Sequence, residues 1–146
     1  NVVSKEQILS MANVGKTFND GYEGKRILTV GRLSREKGQD IAISALKLLI
    51  DKGYNVRWYY VGEGLLRNVC EQKAKELGIS ERVVFLGLQT NRHEGYCITL
   101  AEARCFTAPI VATNFVGADE QLNSYPQSVV TGMSANDIAD GIMRFL

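Results

Sequence analysis

Two carboxylates, Glu94 and Glu102, stand eight positions apart in the segment Arg92-His93-Glu94-Gly95-Tyr96-Cys97-Ile98-Thr99-Leu100-Ala101-Glu102-Ala103. A helix beginning near Tyr96 or Cys97 would offer its first free N–H groups to a diphosphate. Glu102 then lies one to two turns further in, roughly 8 Å along the axis at about 1.5 Å per residue, a span comparable to that from a diphosphate to a ribose. A carboxylate there can accept both hydroxyls of a ribose cis-diol. Glu94, ahead of the turn, faces the other side of the phosphates, where the sugar of a nucleotide sugar would be. Taken singly, Glu94 is a helix-start acid favoured by the dipole and Glu102 a solvated helix position. The case for chemistry rests on their combination with Gly95 and with a cationic loop upstream.

That loop is Val30-Gly31-Arg32-Leu33-Ser34-Arg35-Glu36-Lys37-Gly38. Arg32 can bridge phosphate oxygens as a planar fork and Lys37 can neutralise them as a point charge; the competing reading is a solvated turn in which Glu36 offsets its neighbours. Gly62-Glu63-Gly64 after a strand invites comparison with a dinucleotide fingerprint, but Arg67 stands where the third glycine would fall, which argues against that site. Its glycines either let a ligand approach the backbone or form a tight turn. Val84-Phe85-Leu86-Gly87 could present backbone groups to a nucleobase edge, or be only a buried strand and a turn. Gly117-Ala118-Asp119-Glu120 is another glycine at a helix start. Cys97 has no base near it in sequence apart from His93, and no cysteine-enzyme signature surrounds it.

Composition narrows the classes. A chain of 146 residues that is 45% hydrophobic can bury a substantial core as one domain. Lysine and arginine number 17 against 16 acids, so no bulk field attracts nucleic acid or a membrane surface, and any anion site must be local. Cys70, Cys97 and Cys105 lack a C-x-x-C spacing, and His93 is the one histidine, which argues against a disulfide framework, a zinc site or any imidazole-built metal site. A reducing, cytoplasmic setting fits. No apolar run approaches the roughly 20 residues of a membrane span, and no signal peptide is visible. The chain lacks an initiating methionine, which suggests a fragment.

The elements that must position these groups alternate. Ser4-Lys5-Glu6-Gln7 has the form of a capping box for a helix from Lys5 to about Asn13, and Val14 to Lys25 reads as a connector. The spacing predicts strands at Arg26–Val30, Val56–Val61, Val83–Leu86 and Pro109–Thr113. Between and after them it predicts helices over Asp40–Asp51, Leu65–Leu77, about Cys97–Phe106, from Gly117, and from a Ser134 or Asn136 cap to Leu146. Such alternation is the signature of an α/β protein with a parallel sheet and helices on both faces. Ligands of these sheets bind at the carboxyl ends of the strands, where every motif above lies.

In order along the chain, Val30-Gly31-Arg32-Leu33 with Lys37-Gly38, Val61-Gly62-Glu63-Gly64, Val84-Phe85-Leu86-Gly87, His93-Glu94-Gly95 through Leu100-Ala101-Glu102-Ala103, and Pro109-Ile110-Val111-Ala112-Thr113 resemble the C-terminal domain of a GT-B glycosyltransferase of the large retaining family 4, the glycosyl transferases group 1. The resemblance covers about Lys25 to Leu146. It implies a Rossmann-like domain that binds a nucleotide sugar, paired in the whole enzyme with an N-terminal domain for the acceptor. On that resemblance Arg32 and Lys37 would hold the diphosphate and stabilise the departing nucleoside diphosphate, and Glu94 would contact the donor sugar. The amides of Cys97, Ile98 and Thr99, next to Gly95, would meet phosphate. Glu102 would bind the ribose, and Leu86 would recognise the base, with Gly31 and Gly62 beside them at the strand ends. No metal or other cofactor is needed, because fixed cations and dipoles suffice to stabilise a leaving group.

The chain departs from the family's pattern between Gly87 and His93, where about twenty residues carrying a helix and a strand are replaced by Leu88 to Arg92. Tyr96-Cys97 replaces the commoner Phe-Gly, and after Gln121 the loop and strand before the last helix are abbreviated. The expected organisation is therefore 1–24 as an interdomain helix and connector and 25–146 as the nucleotide-sugar domain, with segments missing near 90–92 and 123–131. The expected function is transfer of a hexose from a nucleoside diphosphate sugar, UDP-linked by preference, to a glycan or lipid-linked acceptor. The isolated domain is expected to bind without turnover, and the missing domain leaves peripheral contact with the inner membrane face open. The alternatives are a phosphorylase or epimerase of the same architecture and a flavodoxin-like nucleotide-binding regulatory module.

Overall fold

The computed structural model describes residues 6, 18, 20–88, 108–115 and 117–146. Strands and helices alternate along them: β1 (Lys25–Val30), α1 (Gln39–Asp51), β2 (Val56–Val61), α2 (Arg67–Glu76), β3 (Val83–Gly87), β4 (Ile110–Thr113), α3 (Ala118–Leu122), β5 (Ser128–Thr131) and α4 (Ala135–Met143). Single 3-10 turns stand at Arg35–Lys37 and Ser80–Arg82. Boundaries differ from the sequence pattern by a few residues. Gln39 rather than Asp40 opens α1, α2 begins at Arg67 because Leu65 and Leu66 turn first, and α4 closes at Met143. Of the two candidate caps for α4, Ser134 is used: its hydroxyl accepts the Asp137 N–H at 3.1 Å, and the Asp137 carboxylate accepts the Ser134 N–H at 3.4 Å. The helix expected over 97–106 lies outside the described residues, and of the one expected over 5–13 only Glu6 is described, in helical conformation.

The spacing places no strand at β5, where the resemblance implies an abbreviated loop and strand. Ser-Val-Val-Thr is too short to show a period, and its approach is organised by turns. The Tyr125 N–H donates to Leu122 O at 2.8 Å, and the Ser128 hydroxyl donates to Tyr125 O at 2.7 Å.

All strand pairs are parallel, in the order β1-β2-β3 and, separately, β4-β5. The sequence predicts one sheet; among the described residues β1 and β4 are not hydrogen-bonded to each other. Packing joins the two pieces instead. Val56, Trp58 and Tyr60 of β2 share one buried cluster with Ile43, Leu46 and Leu49 of α1, Cys70 and Ala74 of α2, and Ile138, Ala139 and Ile142 of α4, and Val111 of β4 packs against it. Ile110, alternating with Val111 to the opposite face of β4, is buried outside that cluster, as are Ala118 and Leu122 of α3. The architecture is the parallel α/β layering that the sequence predicts.

Two features of the first sheet carry consequences. Trp58 and Tyr60, two residues apart and so on one face, stack with ring centroids 5.7 Å apart, and the Trp58 indole N–H donates to Thr29 Oγ1 at 2.8 Å. The Tyr60 hydroxyl is buried with no hydrogen-bond partner among the described residues. Burial holds it protonated well above the usual phenol range, and the nearby Cys70 and Asp40 add to that. Cys70 itself is buried, and its thiol is pushed up to about 11 by burial and by Asp40, so it is not a thiolate nucleophile at neutral pH.

On the other face, Asp20 ties the chain entering β1 to the sheet. Its carboxylate accepts from the Tyr59 hydroxyl and pairs with Arg26 at 2.6 Å and Arg57 at 3.4 Å. Those partners, the Tyr59 hydroxyl first and Arg26 next, hold the carboxyl well below the usual carboxylate range. Arg57 also lies over the Tyr22 ring, 4.0 Å from its centroid, and Arg82 donates to Asn55 Oδ1 at 2.8 Å and to Tyr22 Oη at 3.0 Å.

Tyr60→Phe deletes a hydroxyl that has no hydrogen-bond partner among the described residues, at nearly constant volume. Its urea-unfolding free energy is expected to be unchanged or raised, by up to about 1 kcal/mol; a clear loss would reveal a partner for the hydroxyl. Because the folded-state pKa of Asp20 is depressed, its contribution is complete above the ordinary carboxylate range and is lost as pH falls through and below it. The difference in Tm between wild type and Asp20→Asn should therefore be constant above about pH 5 and close as pH is lowered from about 4 toward 2. A difference independent of pH would contradict this account.

Candidate functional site

The carboxyl ends of β1, β2 and β3 form one edge, and their loops are stitched together by backbone hydrogen bonds. Gly31 N–H donates to Val61 O at 2.9 Å, Gly62 N–H to Gly87 O at 2.9 Å, Leu33 N–H to Glu63 O at 3.1 Å, and Leu66 N–H to Leu33 O at 3.1 Å. The approach is so close that two positions admit no side chain. A Cβ on Gly62, whose φ is +138°, would stand 2.0 Å from Gly31 O, and one on Gly64 would stand 2.1 Å from Leu33 O. Of the two sequence readings for this Gly-x-Gly, the tight turn is the one these contacts explain.

The cationic loop is built on that contact. Leu33 is 1% exposed and acts as its apolar anchor. Lys37 N–H donates to Ser34 O at 3.0 Å and Gly38 N–H to Arg35 O at 3.1 Å, closing the 3-10 turn. Gly38, in the left-handed region at φ +64°, then starts α1 with no side-chain cap, leaving the Gln39 and Asp40 N–H groups without backbone acceptors among the described residues, while the Ile41 N–H donates to Gly38 O at 3.1 Å. Arg32 and Lys37 are both exposed beside this helix start, and neither side chain forms a hydrogen bond or salt bridge with another described residue. Glu36 is exposed and closes no salt bridge with Arg32, Arg35 or Lys37, so the cations are not neutralised by a direct ion pair within their own turn.

Arg67 shows the contrast. It is held by Glu63 and, at 3.0 Å, by Glu71, with its guanidinium 5.5 Å from the centroid of the Phe85 ring. Glu71 first, with Glu63, raises its pKa above the usual guanidinium value. Where a dinucleotide fingerprint would have its third glycine, this chain has a clamp between the β2 loop, α2 and β3.

Of the residues singled out in the sequence, Gly31, Arg32, Lys37, Gly62 and Leu86 are brought to this edge, with Leu86 partly exposed near the end of β3. Glu94, Gly95, Cys97, Ile98, Thr99 and Glu102, with His93, lie outside the described residues. One residue was missed. Gln39 is 2% exposed, its Nε2 donates to Arg32 O at 2.8 Å, and its Oε1 accepts the Ser34 N–H at 3.3 Å. The signal for it existed: 39, 42, 43, 46 and 49 fall on one helical face, so the periodicity places a polar amide on the buried stripe.

The family model described as glycosyl transferases group 1 matches residues 17–93. Over 106 residues the chain is 39% identical to a GDP-mannose-dependent alpha-(1-6)-phosphatidylinositol dimannoside mannosyltransferase of Mycobacterium tuberculosis, covering 72% of this chain and 26% of that protein. Among solved structures, HepE of Anabaena in complex with UDP superposes with a TM-score of 0.72 at 22% identity, over 97% of this chain and 43% of that one. The C-terminal domain of the group 1 glycosyl transferase LpcC of Francisella tularensis superposes with a TM-score of 0.64 at 17% identity, over 99% and 83%. At these identities the two structures establish a shared fold. The chain spans about a third of the length of the first curated relatives it matches. No helix among the described residues is long and apolar enough to cross a membrane.

Gly64→Ala, blocked by the Leu33 carbonyl, and Gly62→Ala, blocked by the Gly31 carbonyl and strained at its φ, should each lower the unfolding free energy by about 2 kcal/mol or more. Denaturant titration of the two variants checks this, and wild-type stability in either would mean the loops separate freely.

Proposed function

This chain belongs to the glycosyl transferases group 1 family, and from that premise we propose that it is the nucleotide-sugar-binding, C-terminal domain of a retaining hexosyltransferase. One observation carries the reading: two cations without salt-bridge partners among the described residues, Arg32 and Lys37, are held on a fixed loop beside an uncapped helix N-terminus, at the strand ends where α/β sheets take ligands. Exposed charges of this kind contribute little to folding but bind a diphosphate strongly once it displaces their water. In this scheme they stabilise the charge that develops on the leaving nucleoside diphosphate.

The rest of the donor falls to the remaining residues. Leu86 meets the base, and Gly31 and Gly62 fix the loops beside it through their close backbone contact. Glu102 accepts the ribose hydroxyls, the amides of Cys97, Ile98 and Thr99 after Gly95 take phosphate, and Glu94 holds the sugar. UDP is the preferred nucleotide, a choice supported by the UDP complex of the HepE structure. The acceptor, a glycan or a lipid-linked molecule, is bound by an N-terminal domain in the cytoplasm or at the inner membrane face. Both the C-terminal placement and the need for a partner domain are supported by the match to the LpcC domain and by the partial span of the relatives. The isolated chain binds donor without turnover, and no metal enters the scheme.

Calorimetric titration with UDP, GDP, ADP and inorganic pyrophosphate tests this. One nucleoside diphosphate should bind in preference to pyrophosphate, with the same affinity in EDTA. Arg32→Ala and Lys37→Ala should each weaken it by about tenfold or more while leaving Tm unchanged, since both side chains are exposed and form no salt bridge among the described residues. Equal binding of all four anions, or none by a folded sample, would count against the reading.

A further inference from the structure

We propose that Gln39 is a positioning residue for the cationic loop: its buried amide fixes the backbone of Arg32 and Ser34 so that Arg32 and Lys37 face one diphosphate together. The proposal rests on the donor-site reading above and adds to it a residue that touches no ligand.

A primary amide taken out of water is costly unless its groups are bonded. The helix face that Gln39 shares with Ala42, Ile43 and Leu46 is otherwise apolar, so packing alone would be served by a hydrophobic residue. Gln39 instead directs both ends of its amide to the loop, Nε2 to Arg32 O at 2.8 Å and Oε1 to Ser34 N–H at 3.3 Å. Between those two residues lies the buried Leu33, bonded on both sides to the β2 loop through Glu63 O and Leu66 N–H. The peptides from Arg32 to Ser34 are thus held by α1 on one side and by β2 on the other.

The constraint reaches both cations. Arg32 projects from the peptide whose carbonyl Gln39 binds. Lys37 is linked through its own N–H to Ser34 O at 3.0 Å, and the Ser34 N–H is the other group Gln39 binds. Without the amide, the Arg32 carbonyl and the Ser34 N–H lose their partners and the loop must turn toward water to regain them. Both cations then keep their charge and lose their mutual spacing, on which simultaneous contact with one diphosphate depends.

Two variants separate the two hydrogen bonds. In Gln39→Glu the ionised carboxylate still accepts the Ser34 N–H but cannot donate to Arg32 O; protonated, it does both. In Gln39→Met neither bond forms at any pH. At neutral pH, UDP and pyrophosphate should bind Gln39→Glu about tenfold more weakly than wild type. Its ratio to wild type at each pH should recover as pH is lowered through the titration of that carboxyl, and Gln39→Met should stay weak throughout. In the ligand-free chain, the Ser34 and Lys37 amides should exchange with deuterium faster in both variants at neutral pH. Wild-type exchange rates in a folded variant, or a Gln39→Glu ratio that pH does not move, would overturn the positioning role. A wild-type chain that binds no nucleoside diphosphate would instead overturn the donor-site reading, while the exchange rates still decide whether Gln39 holds the loop.

Discussion

The loops after β1 and β2 meet backbone against backbone, and the carboxyl edge of the first sheet depends on that contact. Gly62 lies against Gly31 and Gly64 against Leu33 at distances no Cβ could share. With the loops so close, Leu33 is buried between them and its peptide is bonded on both sides by the β2 loop. A residue whose neighbour is pinned in this way has little freedom left in its own peptide. Arg32, next to Leu33, is therefore turned outward by the backbone rather than by contacts of its side chain.

The same edge uses one residue type in two opposite ways. Arg67 is neutralised by Glu63 and Glu71 and lies over Phe85, which makes it a fastener between elements. Arg32 carries the same charge with no acid bound to it among the described residues, a few residues beyond β1. A guanidinium in water costs little to leave unpaired, so the fold can hold it available for an anion. Availability and rigidity together are what preorganised electrostatic binding requires, and α1 supplies the rigidity. Its apolar face is locked into the cluster that joins both sheets, and its first residue extends that lock to the loop.

Much of the layer structure was legible from the chain. Dense apolar residues over Ile41–Ile50 and the β-branched and aromatic run Val56–Val61 leave few alternatives to a buried helix and a central strand, and both form where the pattern places them. β5 was missed because four residues carry no measurable period. Among the described residues β1–β3 and β4–β5 are not hydrogen-bonded to one another, a relation outside local patterning, which says which residues form strands and not which strands share hydrogen bonds. At the site, Arg32 and Lys37 were legible from charge and position. Gln39 stands one residue ahead of the helix that the spacing predicts from Asp40, although helical periodicity puts it on the buried face; a polar residue on an apolar stripe declares its burial without naming its partners.

Read alone, the residues specify the alternating α/β plan, the placement of the cationic loop at a strand end, and the glycines that follow β2. These are local properties, set by periodicity, residue volume and charge within a few positions. Only the tertiary structure decided that Gly62 and Gly64 serve loop-to-loop contact, that Arg67 is neutralised while Arg32 has no ion-pair partner among the described residues, and that a buried amide from α1 reaches the Arg32 carbonyl. Each of those depends on which groups approach within about 3 Å, the range over which hydrogen bonds form, and residues far apart in the chain come that close only when the sheet and its helices have packed.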